Sequence, residues 1–113
     1  MPVFSPGQLA EWSNGVWDPG HPGRIEGVSN DTRTIRKDNL YFALKGKNFD
    51  GHDFIDAAFE KGACGAVVDA AWSKVLIKGR PLLQVENPER ALRDIAAAYR
   101  REVGARIIAV TGS

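Results

Sequence analysis

Apolar positions along this chain switch repeatedly between strand-like runs and helix-like spacing. Residues 40–44 (Leu-Tyr-Phe-Ala-Leu) form an unbroken, aromatic-rich apolar run of strand length. Residues 66–68 and 82–85 are shorter runs of the same kind, the latter entered from Pro81. Residues 25–29 and 106–110 complete the predicted strands. Helical signals lie between them. Ser5 caps and Pro6 opens a short helix with Leu9 and Trp12 on one face, stopped at Asn14-Gly15. Asp53 caps a second, running to Lys61, with Phe54, Ala57, Ala58 and Phe59 on its buried side and Gly62 as its stop. Asn87 and Pro88 start a third, whose inner stripe is Ala91, Leu92, Ile95, Ala98 and Tyr99 and whose end is Gly104. Residues 17–23 carry two prolines and two glycines and read as loop, and residues 70–78 are ambiguous.

This order predicts an α/β fold, with a small mixed, partly parallel sheet flanked by helices. Phe42, Leu44 and Ile95 are expected in its core. Ligands on such sheets sit on loops beyond the carboxyl ends of strands, which directs attention to the loops after Ser29 and Leu44.

The composition narrows the function classes. A chain of 113 residues suits one domain, and 43% hydrophobic residues suffice for a core. The formal charge of +1 gives no sign of a nucleic-acid binder. A single cysteine, Cys64, excludes an intrachain disulfide and reads as a small buried residue between a helix and a strand. The N-terminus lacks signal-peptide character, and no apolar run approaches the roughly 20 residues of a membrane helix. The expectation is a soluble, cytoplasmic protein without membrane or nucleic-acid partners.

Two loops carry candidate chemistry. Asn30-Asp31-Thr32-Arg33 offers an amide, a carboxylate, a hydroxyl and a guanidinium in four residues. A solvated turn, with Arg33 paired to Asp31, is the simpler account of these residue types alone. In the second loop, Lys45 and Lys47 flank Gly46, so ammonium and backbone donors can converge on an anion. Asn48 can read a base edge and Phe49 can stack on a ring. Gly46 and Asp50-Gly51 are equally ordinary turn residues, and His52 reads as a structural hydrogen-bonder. No serine–histidine or paired-carboxylate arrangement stands out. At the far end, an apolar run enters Thr111-Gly112-Ser113, which is how a phosphate-binding loop begins; its lysine and following hydroxyl residue are not in the chain. The chain therefore reads as cut at the entrance of a nucleotide-binding domain.

In order and spacing, residues 27–33, 40–46 and 49–55 resemble the N-terminal domain of the Mur ligases, which build the peptidoglycan stem peptide. The Gly-Ala-Cys-Gly-Ala-Val-Val segment at 62–68 is similar to that family's strand entry, and Val-Glu-Asn-Pro at 85–88 to its lead-in to the ATP domain. Thr111-Gly112-Ser113, and a linker helix without a Tyr-x-x-Pro break, resemble the MurF type, which adds D-Ala-D-Ala, more than the MurE type, which adds the third residue. Two departures stand out. Lys37-Asp38 replaces a usual Pro-Gly, and Tyr41 a usual Phe.

The resemblance implies a division into residues 1–86, which bind the UDP end of a UDP-N-acetylmuramoyl-peptide, and residues 87–113, a linker helix and first strand leading to the ATP-binding domain. It implies Asn30, Thr32, Lys47, Asn48 and Phe49 as contacts of the UDP moiety, with Asp31, Arg33, Lys45 and Gly46 supporting the loops. It implies Thr111, Gly112 and Ser113 as the lip of the ATP loop. ATP, magnesium, D-Ala-D-Ala and the catalytic groups are expected with the parent enzyme, and no catalysis, metal or cofactor with this fragment. A MurE-type domain and a stand-alone, non-enzymatic binding module are the alternatives.

Overall fold

The computed structural model describes residues 3–72 and 79–111, with side chains to residue 103. Its centre is a five-stranded sheet in the order β2-β7-β6-β5-β4. The strands are β2 (Val16–Asp18), β4 (Val28–Ser29), β5 (Leu40–Phe42), β6 (Gly65–Asp69) and β7 (Leu82–Val85). β4, β5, β6 and β7 run parallel, and β2 closes one edge antiparallel to β7, with Trp17 opposite Leu83. The expected mixed, partly parallel sheet is therefore present. A small second sheet pairs β1 (Val3–Phe4) antiparallel with β3 (Ile25–Glu26).

The run at residues 25–29 is not one strand. Gly27 adopts φ +78, a conformation an L side chain resists, and hands the chain from β3 in the small sheet to β4 in the large one. β1 and β2 were not expected. They are short, their outward residues Val3 and Val16 are exposed, and β2 leads straight into the proline-rich loop.

The helices follow their caps. α1 (Pro6–Ser13) starts with a complete capping box: Ser5 accepts from Gln8 N–H while the Gln8 side chain accepts from Ser5 N–H. Asn14 ends it in the left-handed conformation. The second helix starts earlier than expected. Asp50, not Asp53, is its cap, accepting from His52 N–H, and the chain first makes a 3-10 turn, Gly51–Phe54. α2 (Ile55–Glu60) follows, burying Ile55 and Ala58 but not Phe54. Gly62, at φ +114, terminates it.

α3 (Pro88–Thr111) starts as expected, with Asn87 Oδ1 accepting Arg90 N–H at 3.0 Å. It passes through Gly104 and takes in residues 106–110, which were expected as a strand. A strand needs a neighbouring strand to satisfy its N–H and C=O groups, whereas a helix satisfies them internally. Gly112 and Ser113 lie outside the described residues.

The sheet is covered on both faces. On one, Phe4, Leu9, Ala91 and Ile95 pack over Leu40, Phe42, Val67, Leu83 and Val85. On the other, Ile35, Ile55, Ala58 and Ala63 cover Tyr41, Ala66, Val68 and Leu82. Phe42 and Ile95 are buried as expected, while Leu44 is half-buried at the margin. Asp38 holds φ +66. Its N–H donates to Gly62 O at 2.9 Å, and its carbonyl accepts Glu26 N–H at 2.8 Å.

Candidate functional site

β4 and β5 end side by side, and the loops that leave them face one another. Between these loops lies a cleft of about 530 Å³, lined by Asn30, Asp31, Thr32, Arg33, Tyr41, Phe49 and Phe54.

The first wall is a closed Asx-type turn. Asp31 Oδ1 accepts Arg33 N–H at 2.9 Å, and the carboxylate takes a two-point grip on the guanidinium, Nε–Oδ1 3.0 Å and Nη2–Oδ2 2.8 Å. Ser29 Oγ accepts Asp31 N–H at 3.1 Å. The Arg33 side chain, then its backbone N–H, hold the Asp31 carboxyl down at about 2. Asp31 and Arg33 therefore satisfy each other. The side chains of Asn30 and Thr32 make no hydrogen bond among the described residues, and both line the cleft.

The second wall is a tight turn. Lys45 and Asp50 form an isolated antiparallel bridge, and Gly46 N–H donates to Phe49 O at 2.9 Å. The Phe49 ring folds back over Gly46: a Cβ on Gly46 would fall 2.2 Å from Phe49 Cε1. Only glycine permits that position, and the ring is left 57% exposed. Lys47 and Asn48 occupy the middle of the turn, exposed and outside the cleft lining, as are Lys45 and Gly46.

Two lining residues, Tyr41 and Phe54, were not expected there. Phe54 was placed on the buried side of the second helix and Tyr41 only within an apolar strand, because an aromatic in an apolar run carries no signal that separates core from cleft. Tyr41 is buried at the cleft floor, its hydroxyl donating to Gly51 O at 2.8 Å. Burial, with smaller contributions from the Asp31 and Asp50 charges, pushes its pKa up to about 12. Phe54 is 44% exposed and forms an apolar wall with Phe49.

Behind the turn, His52 is buried and fully engaged. Its Nε2 accepts Asp69 N–H at 3.0 Å, so Nδ1 carries the proton and donates to Asp50 Oδ1 at 2.6 Å. Burial alone would raise the Asp50 carboxyl, but the His52 backbone and ring donors outweigh it and the net displacement is downward. His52 is thus a strut between the turn and β6, as its sequence context implied. Cys64 is half-buried, its thiol directed at Asp38 O (3.2 Å), and burial and the Asp38 charge push its pKa up to about 11. Among the described residues no cluster of His, Cys, Asp or Glu is arranged to hold a metal ion. No described helix is long and apolar enough to cross a membrane.

An aromatic-walled cleft at the carboxyl ends of parallel strands, with an amide and a hydroxyl on its rim, occupies the place where α/β sheets carry their ligand sites. A family model described as "Mur ligase family, catalytic domain" matches residues 24–100. The chain belongs to the Mur ligase family. It is 38% identical over 89 residues to UDP-N-acetylmuramoyl-tripeptide--D-alanyl-D-alanine ligase of Bacillus subtilis, covering 79% of this chain and 19% of that protein. It is 42% identical over 89 residues to UDP-N-acetylmuramoyl-L-alanyl-D-glutamate--2,6-diaminopimelate ligase of Bradyrhizobium diazoefficiens, covering 79% of this chain and 18% of that protein. Its fold matches a crystal structure of MurF from Acinetobacter baumannii with a TM-score of 0.78 at 27% identity, over 93% of this chain and 22% of that one. The chain thus spans about a fifth of the length of these relatives.

Proposed function

We propose that this chain is the substrate-recognition part of a MurF-type ligase, and that its cleft holds the uridine-diphosphate end of a UDP-N-acetylmuramoyl-tripeptide. The observation that carries this reading is the cleft itself: exposed Phe49 and Phe54 both line it, and the Thr32 and Asn30 side chains at its rim make no hydrogen bond among the described residues. A flat, edge-polar base fits an aromatic wall next to an amide. The pyrophosphate is served by the Thr32 hydroxyl and by Lys47 and Asn48 from the exposed turn. Asp31, Arg33, Lys45 and Gly46 hold the shape of the two walls. On this reading residues 1–86 bind substrate, and residues 87–113 connect to an ATP-binding domain. There, ATP and magnesium activate the peptide carboxylate for attack by D-Ala-D-Ala during peptidoglycan synthesis. None of the residues lining this cleft takes part in that chemistry.

Isothermal titration of the chain with UDP tests the cleft. Saturable binding is expected, and Thr32→Ala should raise Kd by about two- to tenfold, the worth of one hydrogen bond. A chain that binds UDP no better than AMP, or a Thr32→Ala variant that binds UDP like the wild type, refutes the assignment. In the parent enzyme the same change should raise KM for the UDP-peptide and leave KM for ATP unmoved, because contacts far from the reacting bond hold ground and transition states alike.

The 42% identity to the diaminopimelate-adding enzyme supports a second reading, in which the parent adds the third stem residue. Offering the parent UDP-dipeptide with diaminopimelate, against UDP-tripeptide with D-Ala-D-Ala, decides between them.

A further inference from the structure

Lys45 N–H, at the mouth of the turn that carries Phe49, donates to Glu89 Oε1 at 2.9 Å across 44 residues of sequence. Glu89 sits in the first turn of α3, directly after buried Pro88. The helix is itself fixed, because Ala91 and Ile95 are in the core. Its N-terminal end also favours an acidic side chain. From Lys45 the geometry passes in one step to Gly46, whose Cα lies under the Phe49 ring, and whose N–H holds Phe49 O. The other leg of the turn is held separately, by Asp50 on His52. A turn pinned at one leg can pivot; pinned at both it holds its ring in one place.

We propose that Glu89 is a positioning residue for the cleft: through Lys45 N–H it fixes the residue 45–50 turn and so sets Phe49 against the bound base. The proposal rests on the reading of the cleft as a uridine site. It gives α3, the element leading onward in the sequence, a direct hold on the substrate wall. Glu89 touches no ligand on this account.

The test uses the full chain and two readouts, amide hydrogen exchange and titration with UDP. Glu89→Ala should speed exchange of the Lys45 amide and raise Kd for UDP about three- to tenfold, the range for losing one ordinary hydrogen bond. Glu89→Gln keeps an oxygen acceptor and should restore most of both. In a Phe49→Ala background, Glu89→Ala should leave Kd nearly unchanged, because the ring through which it acts is gone. A merely stabilising contact would lower the melting temperature without this dependence on Phe49. Glu89→Ala with wild-type Lys45 exchange overturns the proposal, and so does an equal loss of affinity with and without Phe49. If the wild-type chain fails to bind UDP, the cleft reading fails and the proposal with it. Wild-type binding with unaltered affinity in Glu89→Ala overturns the proposal alone.

Discussion

Replacing Gly51 by alanine should damage this fold more than its single added methyl implies. A Cβ at this position would stand 2.7 Å from both Leu44 N and Leu44 O, and 3.1 Å from Ala43 C. These are backbone atoms at the end of a central strand, not side-chain tips that can swing aside. The same residue makes two hydrogen bonds: Gly51 N–H to Leu44 O at 2.7 Å, and its carbonyl from the Tyr41 hydroxyl at 2.8 Å. Relieving the clash moves Gly51 off β5 and stretches both. Overpacking costs about 1–3 kcal/mol, and a weakened hydrogen bond adds about 0.5–1.5 kcal/mol. The sum is about 1.5–4.5 kcal/mol, enough to lower the melting temperature by roughly 6–20 °C in a domain of this size. Gly20→Ala is the matched control. No atom lies within 4 Å of its added Cβ, so only the unfolded-state effect remains, a gain of about 0.4–1 kcal/mol. Urea melts of the three proteins, fitted for midpoint and slope, separate the two effects. Gly51→Ala within about 0.5 kcal/mol of wild type would show that the close approach of Gly51 to β5 is not a property of the folded chain.

Three further outcomes are expected. Gly46→Ala must displace the Phe49 ring rather than backbone, so UDP affinity should fall while the urea midpoint stays close to wild type; a large stability loss with intact affinity would contradict it. Asp38→Gly should stabilise the chain by about 0.5–1 kcal/mol, because glycine occupies φ +66 without the strain of a side chain, and a destabilised variant in urea melts would contradict this. The Asp31 carboxyl, held at about 2 by Arg33, lies below its ordinary 3.8. The pair therefore favours the folded state above about pH 4, and this contribution disappears as pH falls through about 2. Carbon-13 titration of the side chain checks it, and a midpoint near 4 would show the ion pair broken in solution.

The central strands and two of the helix starts were readable because their signals are local. Ser5-Pro6 and Asn87-Pro88 cap helices with their own side chains and rings, and the apolar runs that became β5, β6 and β7 are covered on both faces. What was missed depends on partners distant in sequence. β2 is a strand only because β7 offers it a ladder 66 residues later, opposite Trp17 at Leu83. Residues 106–110 have the composition of a strand, and their backbone bonds are made within α3 instead. Asp53 and Asp50 are both good caps by type, and the choice fell to Asp50 because His52 and the bridge to Lys45 fix it there. At the cleft, the polar rim and Phe49 could be named from the loop sequences, but Tyr41 and Phe54 could not. Phe54 is spaced like an ordinary core residue of the second helix, and only the backbone path shows that it faces outward.

The order β2-β7-β6-β5-β4 also has a consequence for how the chain comes to be folded during synthesis. β7 lies between β6 and β2, yet it is the last strand of the sheet to be made, and the helix that joins α1 in covering one face comes after it. Until residues 82–95 leave the ribosome, β2 has no partner and Leu40, Phe42 and Val67 lack the cover of Ala91 and Ile95. Unpaired strand edges and open apolar faces are what chaperones recognise and what drives aggregation. A nascent chain of this family member therefore has to travel some 80 residues with its sheet unfinished, and a pause in translation would be safest after α3 has docked, not before.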